Sequence, residues 1–204
     1  MKLPKEFKDQ LLWCEKLGYG WHSQPPMEYD GDYFKSYIER DNSEMGMALT
    51  AARVEFVRRY YDGIVTDIGI GGGRFALEID GLGYDVSESA RRWLEDEGRY
   101  WDVYSQKTAA ITCWDSLEHI PDPGRLLAMV TDWVFVSMPV YHNMEHCLGS
   151  KHYKPGEHLW YWTKPGLVDY MARHGFAFRG GSDIETVLGR EDIYSFAFQR
   201  EGRR

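Results

Sequence analysis

Residues 65–78 read VTDIGIGGGRFALE. A short apolar run meets Asp67, and glycine then occupies positions 69, 71, 72 and 73. The run predicts a buried strand, and GRFALEI predicts a short helix. A glycine-rich turn between a strand and a helix lets backbone come close to a ligand. Two ligand classes fail on spacing. The dinucleotide fingerprint G-x-G-x-x-G fits Gly69 and Gly71 but meets Arg74 where its third glycine belongs. The phosphate loop fails because no Lys-Ser or Lys-Thr follows. What fits is D-x-G-x-G-x-G, at Asp67, Gly69, Gly71 and Gly73. The pattern gives Gly72 no task.

The next strand, GLGYDVS at 81–87, ends on Asp85, 18 residues past Asp67. An acid at that strand end accepts hydrogen bonds from ribose hydroxyls. Asp67 before the loop and Asp85 after it suit a cationic nucleoside better than a pyrophosphate. The plain alternative is a tight strand–helix turn that holds nothing.

Working outward, strands at 63–69, 81–87, 109–117 and 133–139 alternate with helical stretches at 73–79, 87–98, 121–132 and 163–176. FAFRG (176–180) and DIYSFAFQR (192–200) close as a strand pair. With YWDVY (100–104) as a further short strand, this predicts an α/β three-layer sandwich. Its seven-stranded sheet is mostly parallel and its last strand antiparallel. SEMGMALTAARVEFVRRY predicts a helix capped by Ser43, with Met47, Ala51, Val54 and Val57 or Arg58 near its apolar spacing. Residues 1–45 are aromatic-rich and lack periodicity, so an irregular extension or lid is expected there. Trp21, His22, Tyr33 and Tyr37 are its candidate lid residues. Residues 46–204 form the main domain.

DIGIGGGRF and GYDVSESA resemble the first and second motifs of the class I S-adenosylmethionine (SAM)-dependent methyltransferases. WDSLEHIPDP (114–123) is similar to the D-x-L-E-H-x-x-D-P segment of the type 11/23 group, and EHLWYWTKPGLVDYMARHGF (157–176) to its later segment ending in Gly-Phe. The four segments keep the family's order. The resemblance implies a Rossmann-like fold, a methyltransferase domain over 46–204, and SAM as cofactor. It implies that Gly69, Gly71 and Gly73 admit the methionyl part and that Asp85 holds the ribose. Asp67 and Asp115 stand beside the cofactor, Val86 packs on the adenine ring, and Trp101 or Asp102 marks the adenine end. One departure stands out: only 48 residues separate Asp67 from Asp115, so the elements between them must be short.

Methyl transfer from a sulfonium is an in-line displacement governed by positioning. A hydroxyl acceptor also needs a base or a metal. DSLEH supplies both candidates: His119 as general base with Glu118 beside it, or Asp115, Glu118, His119 and His158 as ligands of a divalent cation. That set is similar to the metal-binding segments of small-RNA 2′-O-methyltransferases and ubiquinone-pathway O-methyltransferases, which carry Glu in place of Asp115. Two acids and two imidazoles suit Mg, Mn or Zn. The structural alternative is that Glu118 and His119 cap the next helix. HNMEH (142–146) matches the zinc-protease string, but a loop leaving a strand is expected there, and the string requires a helix. Tyr141 and His142 remain candidates for lining the pocket. The [DN]PPY string of base amino-methyltransferases is missing. The expected activity is O-directed methyl transfer to a small-molecule or nucleotide-like acceptor. The alternatives are RNA 2′-O or terminal methylation with a metal, and a SAM-binding protein without turnover.

At 204 residues the chain fits one domain with its own core. Its net charge of −8 counts against non-specific binding to nucleic acid or an anionic membrane. A local basic patch for nucleic acid stays open, as does the oligomeric state. Cys14, Cys113 and Cys147 form no C-x-x-C pair or disulfide framework, which fits a reducing cytoplasmic setting. No apolar run approaches the roughly 18 residues of a membrane span, so no membrane partner is expected.

Overall fold

The computed structural model describes residues 11–22 and 31–202. Its centre is a parallel sheet of β3 (Val65–Ile68), β4 (Leu82–Tyr84), β5 (Thr108–Trp114) and β6 (Val130–Tyr141), in the order β4-β3-β5-β6. β9 (Ile193–Arg200) lies antiparallel on β6, and β8 (Phe176–Ser182) lies antiparallel on β9. The α/β sandwich read from the sequence is the one observed.

Strand alternation divides the core between two faces. Ile111, Cys113, Val134, Val136, Phe196 and Phe198 point to one face, where Leu126, Leu127, Leu167 and Met171 cover them. Ala110, Trp114, Trp133, Phe135 and Ala197 point to the other, against Phe56, Val57, Phe75 and Ile79. The covering helices are α5 (Pro123–Leu127) and α7 (Lys164–Arg173) on the first face, and α2 (Glu44–Arg58) and α3 (Arg74–Glu78) on the second. Burying one such leucine or phenylalanine stabilises the fold by about 1.5–3 kcal/mol.

Local chemistry starts the two longest covering helices. Ser43 caps α2, its Oγ accepting from the Gly46 N–H at 3.1 Å, with Glu44 in the first turn and Arg58 in the last. Thr163 caps α7 in the same way, and Pro165 opens its first turn.

Among the described residues the sheet has nine strands, two more than the seven expected. Beyond the end of β5, the tip of β6 pairs with β7 (Trp160–Thr163) through Val140 and Tyr141. β7 carries the hairpin β1 (Leu11–Cys14) and β2 (Tyr19–His22). The extension therefore holds a regular hairpin and a helix, α1 (Gly31–Asp41), where irregular chain was expected. YWDVY forms no strand and contributes one bridge, Gly83 to Tyr100. The Asp102 carboxylate then captures the Tyr104 N–H and the Ser105 hydroxyl, which turns the chain. HNMEH runs into a short helix, α6 (Met144–Gly149), that is capped by Asn143, where a loop was expected; His142 stays outside it. Two further helices complete the fold, α4 (Glu88–Asp96) and the four-residue α8 (Ile184–Val187). Among the described residues, no helix is long and apolar enough to cross a membrane.

Candidate active site

A cavity of about 740 Å³ opens at the carboxyl ends of β3, β4 and β5, where open α/β sheets bind ligands. Its first wall is the glycine loop. Gly69, Gly71 and Gly73 all have left-handed backbone, with φ of 74°, 57° and 85°, which favours glycine. A β carbon on Gly69 would stand 2.9 Å from the Ser116 side chain, and one on Gly73 would enter the Trp93 ring. Gly72 has a different reason to be glycine. Its β carbon would lie 2.7 Å from the Ile38 Cα and the Tyr37 carbonyl oxygen, so α1 packs directly on the loop. The Gly72 N–H donates to Asp41 Oδ2 at 2.9 Å.

Asp85 follows β4, and its two oxygens accept from the Ile70 N–H at 2.9 Å and the Ser87 N–H at 2.8 Å. These bonds fix the carboxylate at the cavity edge. Val86 beside it is 73% exposed at the mouth. Asp67 is buried under the loop and accepts the Thr112 hydroxyl at 2.7 Å. Burial pushes its pKa up to about 7.

The opposite wall comes from the turn after β5. Leu117–His119 form a short 3₁₀ turn. Glu118 is buried, and neither carboxylate oxygen has a hydrogen-bond partner among the described residues. Burial, with the Asp115 charge nearby, holds its carboxyl well above the usual range. His119 and His158 meet edge to face, with ring centroids 4.8 Å apart. Burial lowers both imidazoles, His158 to about 3, so both are neutral at pH 7. The ligand atoms of Glu118, His119 and His158 lie within 4.8 Å of one another.

Asp115 does not join that group. Its carboxylate lies 3.2 Å from Arg53 Nη2 and 2.7 Å from Arg190 Nη1. Burial raises its pKa, but the two arginines outweigh burial and hold it below the usual range. Both arginines also bind the buried Glu185, and Arg53 does so through Nε at 2.8 Å and Nη2 at 3.0 Å. The four-ligand set read from the sequence is therefore three residues beside a separate ion cluster. Asp115 itself has a left-handed φ of 54°, which turns it toward the arginines.

Other candidates fall elsewhere. Trp101 and Asp102 do not line the cavity, whereas Tyr84 and Tyr104 do. Tyr141 packs with Cys147 and Tyr161 in a separate cluster under α6. The His142 N–H donates to His146 Nδ1 at 3.2 Å, which occupies that ring nitrogen. His22 is buried against the Tyr153 hydroxyl at 2.8 Å, and neither it nor Trp21 reaches the cavity. Tyr37 does reach it. The Tyr33 side chain lies outside the described residues. Arg53 and Arg190 escaped the sequence reading. Arg53 had a signal there, lying one helical face along from Met45 and Leu49 on α2.

Fold and site together define a class I SAM-dependent methyltransferase. A methyltransferase domain model matches residues 43–179, and the chain belongs to that family. No curated protein matches it. Several solved structures share its fold. The magnesium protoporphyrin IX methyltransferase of Synechocystis PCC 6803 with bound SAH is 13% identical at TM-score 0.54, covering 86% of this chain and 90% of its own. A SAM-dependent methyltransferase of Aquifex aeolicus is 10% identical at 0.58, covering 85% and 100%. The glycopeptide N-methyltransferase MtfA, complexed with SAM, is 14% identical at 0.53, covering 75% and 87%.

Proposed function

We propose that the chain transfers the methyl group of SAM to a hydroxyl oxygen of a small-molecule or nucleotide-like acceptor. The observation that carries the reading is a divided cavity. The glycine loop forms one wall, and two neutral imidazoles with a partnerless carboxyl form the other. The glycine wall fits SAM: a backbone cradle at Gly69 and Gly71, with Gly73 turning the chain behind it against Trp93, and an oriented acid, Asp85, for the ribose hydroxyls. Val86 covers the adenine face, Asp67 supports the loop from below, and Asp115 borders the reacting end. Bound SAM supplies an electrophilic methyl group. His119 accepts the proton of the acceptor hydroxyl as its oxygen attacks, which a neutral imidazole in a shielded site does well. Glu118, one residue away, holds the developing imidazolium.

A second reading has one observation in its favour. A buried carboxyl without a partner, beside two imidazoles, is a donor set of the 2-His-1-carboxylate kind. In this reading Glu118, His119 and His158 hold Mg, Mn or Zn, and the acceptor extends to RNA 2′-O or terminal positions. The ion would supply Lewis acidity at the acceptor oxygen.

Calorimetry with SAM tests the frame: wild type binds, and Asp85→Ala abolishes binding. A chain that binds SAM and methylates nothing on a hydroxyl acceptor panel is a binder without turnover. His119→Ala should lower kcat about 10²–10⁴-fold with the SAM affinity kept. Full activity after chelation, with no metal in the stripped protein, removes the cation reading.

A further inference from the structure

We propose that Asp41, on the N-terminal helix that the family match does not reach, binds the α-ammonium group of the cofactor's methionyl part. The inference rests on SAM occupying the glycine wall.

Five acids besides Asp41 line the cavity. Asp67 is buried beneath the loop, takes the Thr112 hydroxyl, and titrates near neutrality. Asp85 stands at the β4 end, oriented by two backbone amides toward the ribose side. Asp115 is neutralised by Arg53 and Arg190. Glu118 is on the opposite wall, and Glu157 pairs with Lys154 at 2.9 Å. Asp41 faces the stretch of the loop at Gly71 and Gly72, away from Asp85 at Ile70, and has no ion pair among the described residues. Its Oδ2 accepts the Gly72 N–H and lies 3.7 Å from where a β carbon on Gly71 would stand. The Tyr37 ring, 3.1 Å from that same point, and Asp41 together border the side of Gly71. An amino-acid headgroup arriving there meets a carboxylate already aimed by the loop.

The chemistry matches. A primary ammonium offers three donors and a full charge, and a carboxylate fixed by one backbone amide has acceptor positions to spare. Burial raises the Asp41 pKa, and the Gly72 amide and Arg53 pull it back. A cation arriving beside it favours the charged form further.

The test uses two probes on the intact chain: SAM, and 5′-methylthioadenosine, which keeps the nucleoside and thioether but lacks the amino-acid head. Asp41→Asn preserves an acceptor for the Gly72 N–H and removes the charge. Calorimetry should show SAM binding weakened about 30-fold, equivalent to about 2 kcal/mol, with methylthioadenosine binding unchanged. That unchanged binding also reports a folded variant. Equal loss for both probes makes Asp41 a prop for the loop and overturns the proposal, as does no loss for either. A wild type that binds methylthioadenosine but not SAM overturns the headgroup site while keeping the nucleoside site. A wild type that binds neither overturns the cofactor reading itself.

Discussion

Asp67 shows how much one carboxyl can weigh. Its ordinary pKa of 3.8 rises to about 7 in the fold, chiefly through burial. Between those values the folded chain keeps a proton that the unfolded chain has released. Stability therefore falls as pH rises from about 4 to about 7, then levels off. Asp67→Asn keeps an acceptor for Thr112 and removes the charge. It should leave stability at pH 4 near wild type and raise it at pH 8 by a few kcal/mol, with Tm moving about 2–4 °C per kcal/mol for a chain of this size. Urea melts at pH 4, 6 and 8 check this, and an equal offset at all three would refute it. His158 runs the other way. Burial lowers it to about 3, so it remains neutral in the fold and disfavours folding as pH drops below its unfolded value. Comparing the variant with wild type cancels that contribution.

At the scale of elements, the glycine loop and α1 form one unit. The Gly72 site has no room for a methyl group, because helix backbone lies 2.7 Å from its position. Gly72→Ala should push α1 away, lower stability by about 1–3 kcal/mol, and weaken SAM binding, since Tyr37 and Asp41 would move with the helix. Chemical denaturation and calorimetry together check both effects. Sequence periodicity reached part of this level. β3, β5 and β6 were legible because buried parallel strands read as continuous apolar runs. The face of α2 was read in part. Val57 is buried as its spacing suggests, but Met47 and Ala51 are exposed, and Gly46, Leu49, Thr50 and Phe56 are buried instead. Glycine and threonine carry little hydropathy, so the first half of that face gave a weak signal. The hairpin β1–β2 was illegible because its order comes from a partner far along the chain, β7. At the site, the glycines and the loop acids were visible as a pattern. The separation of Asp115 from Glu118 was not, because it depends on two arginines from distant helices and turns.

Across the whole molecule, the extension is part of the sheet. Tyr19, Gly20 and Trp21 pair with Trp162, Tyr161 and Trp160, and the Thr163 N–H donates to the Gly18 carbonyl oxygen at 2.8 Å. A β carbon on Gly166 would collide with that same carbonyl. The hairpin should thus open only with the main sheet. Hydrogen exchange is expected to protect the paired β2 amides to within about tenfold of those in β7, and far-UV and tryptophan signals should unfold in one coincident transition. Early loss of β2 protection would mark the hairpin as a separate unit.

The cluster of Arg53, Asp115, Glu185 and Arg190 carries an evolutionary consequence. Two cations and two anions sum to zero, and the cluster lies between a helix, a strand end and a late turn. Losing either arginine leaves the fully buried Glu185 carboxylate short of a partner, a change that destabilises by up to about 3–5 kcal/mol. Single changes at these four positions should therefore be selected against, and residue 115 should vary jointly with three residues that no local sequence pattern links to it; an aligned set of homologues in which the four vary independently would refute this.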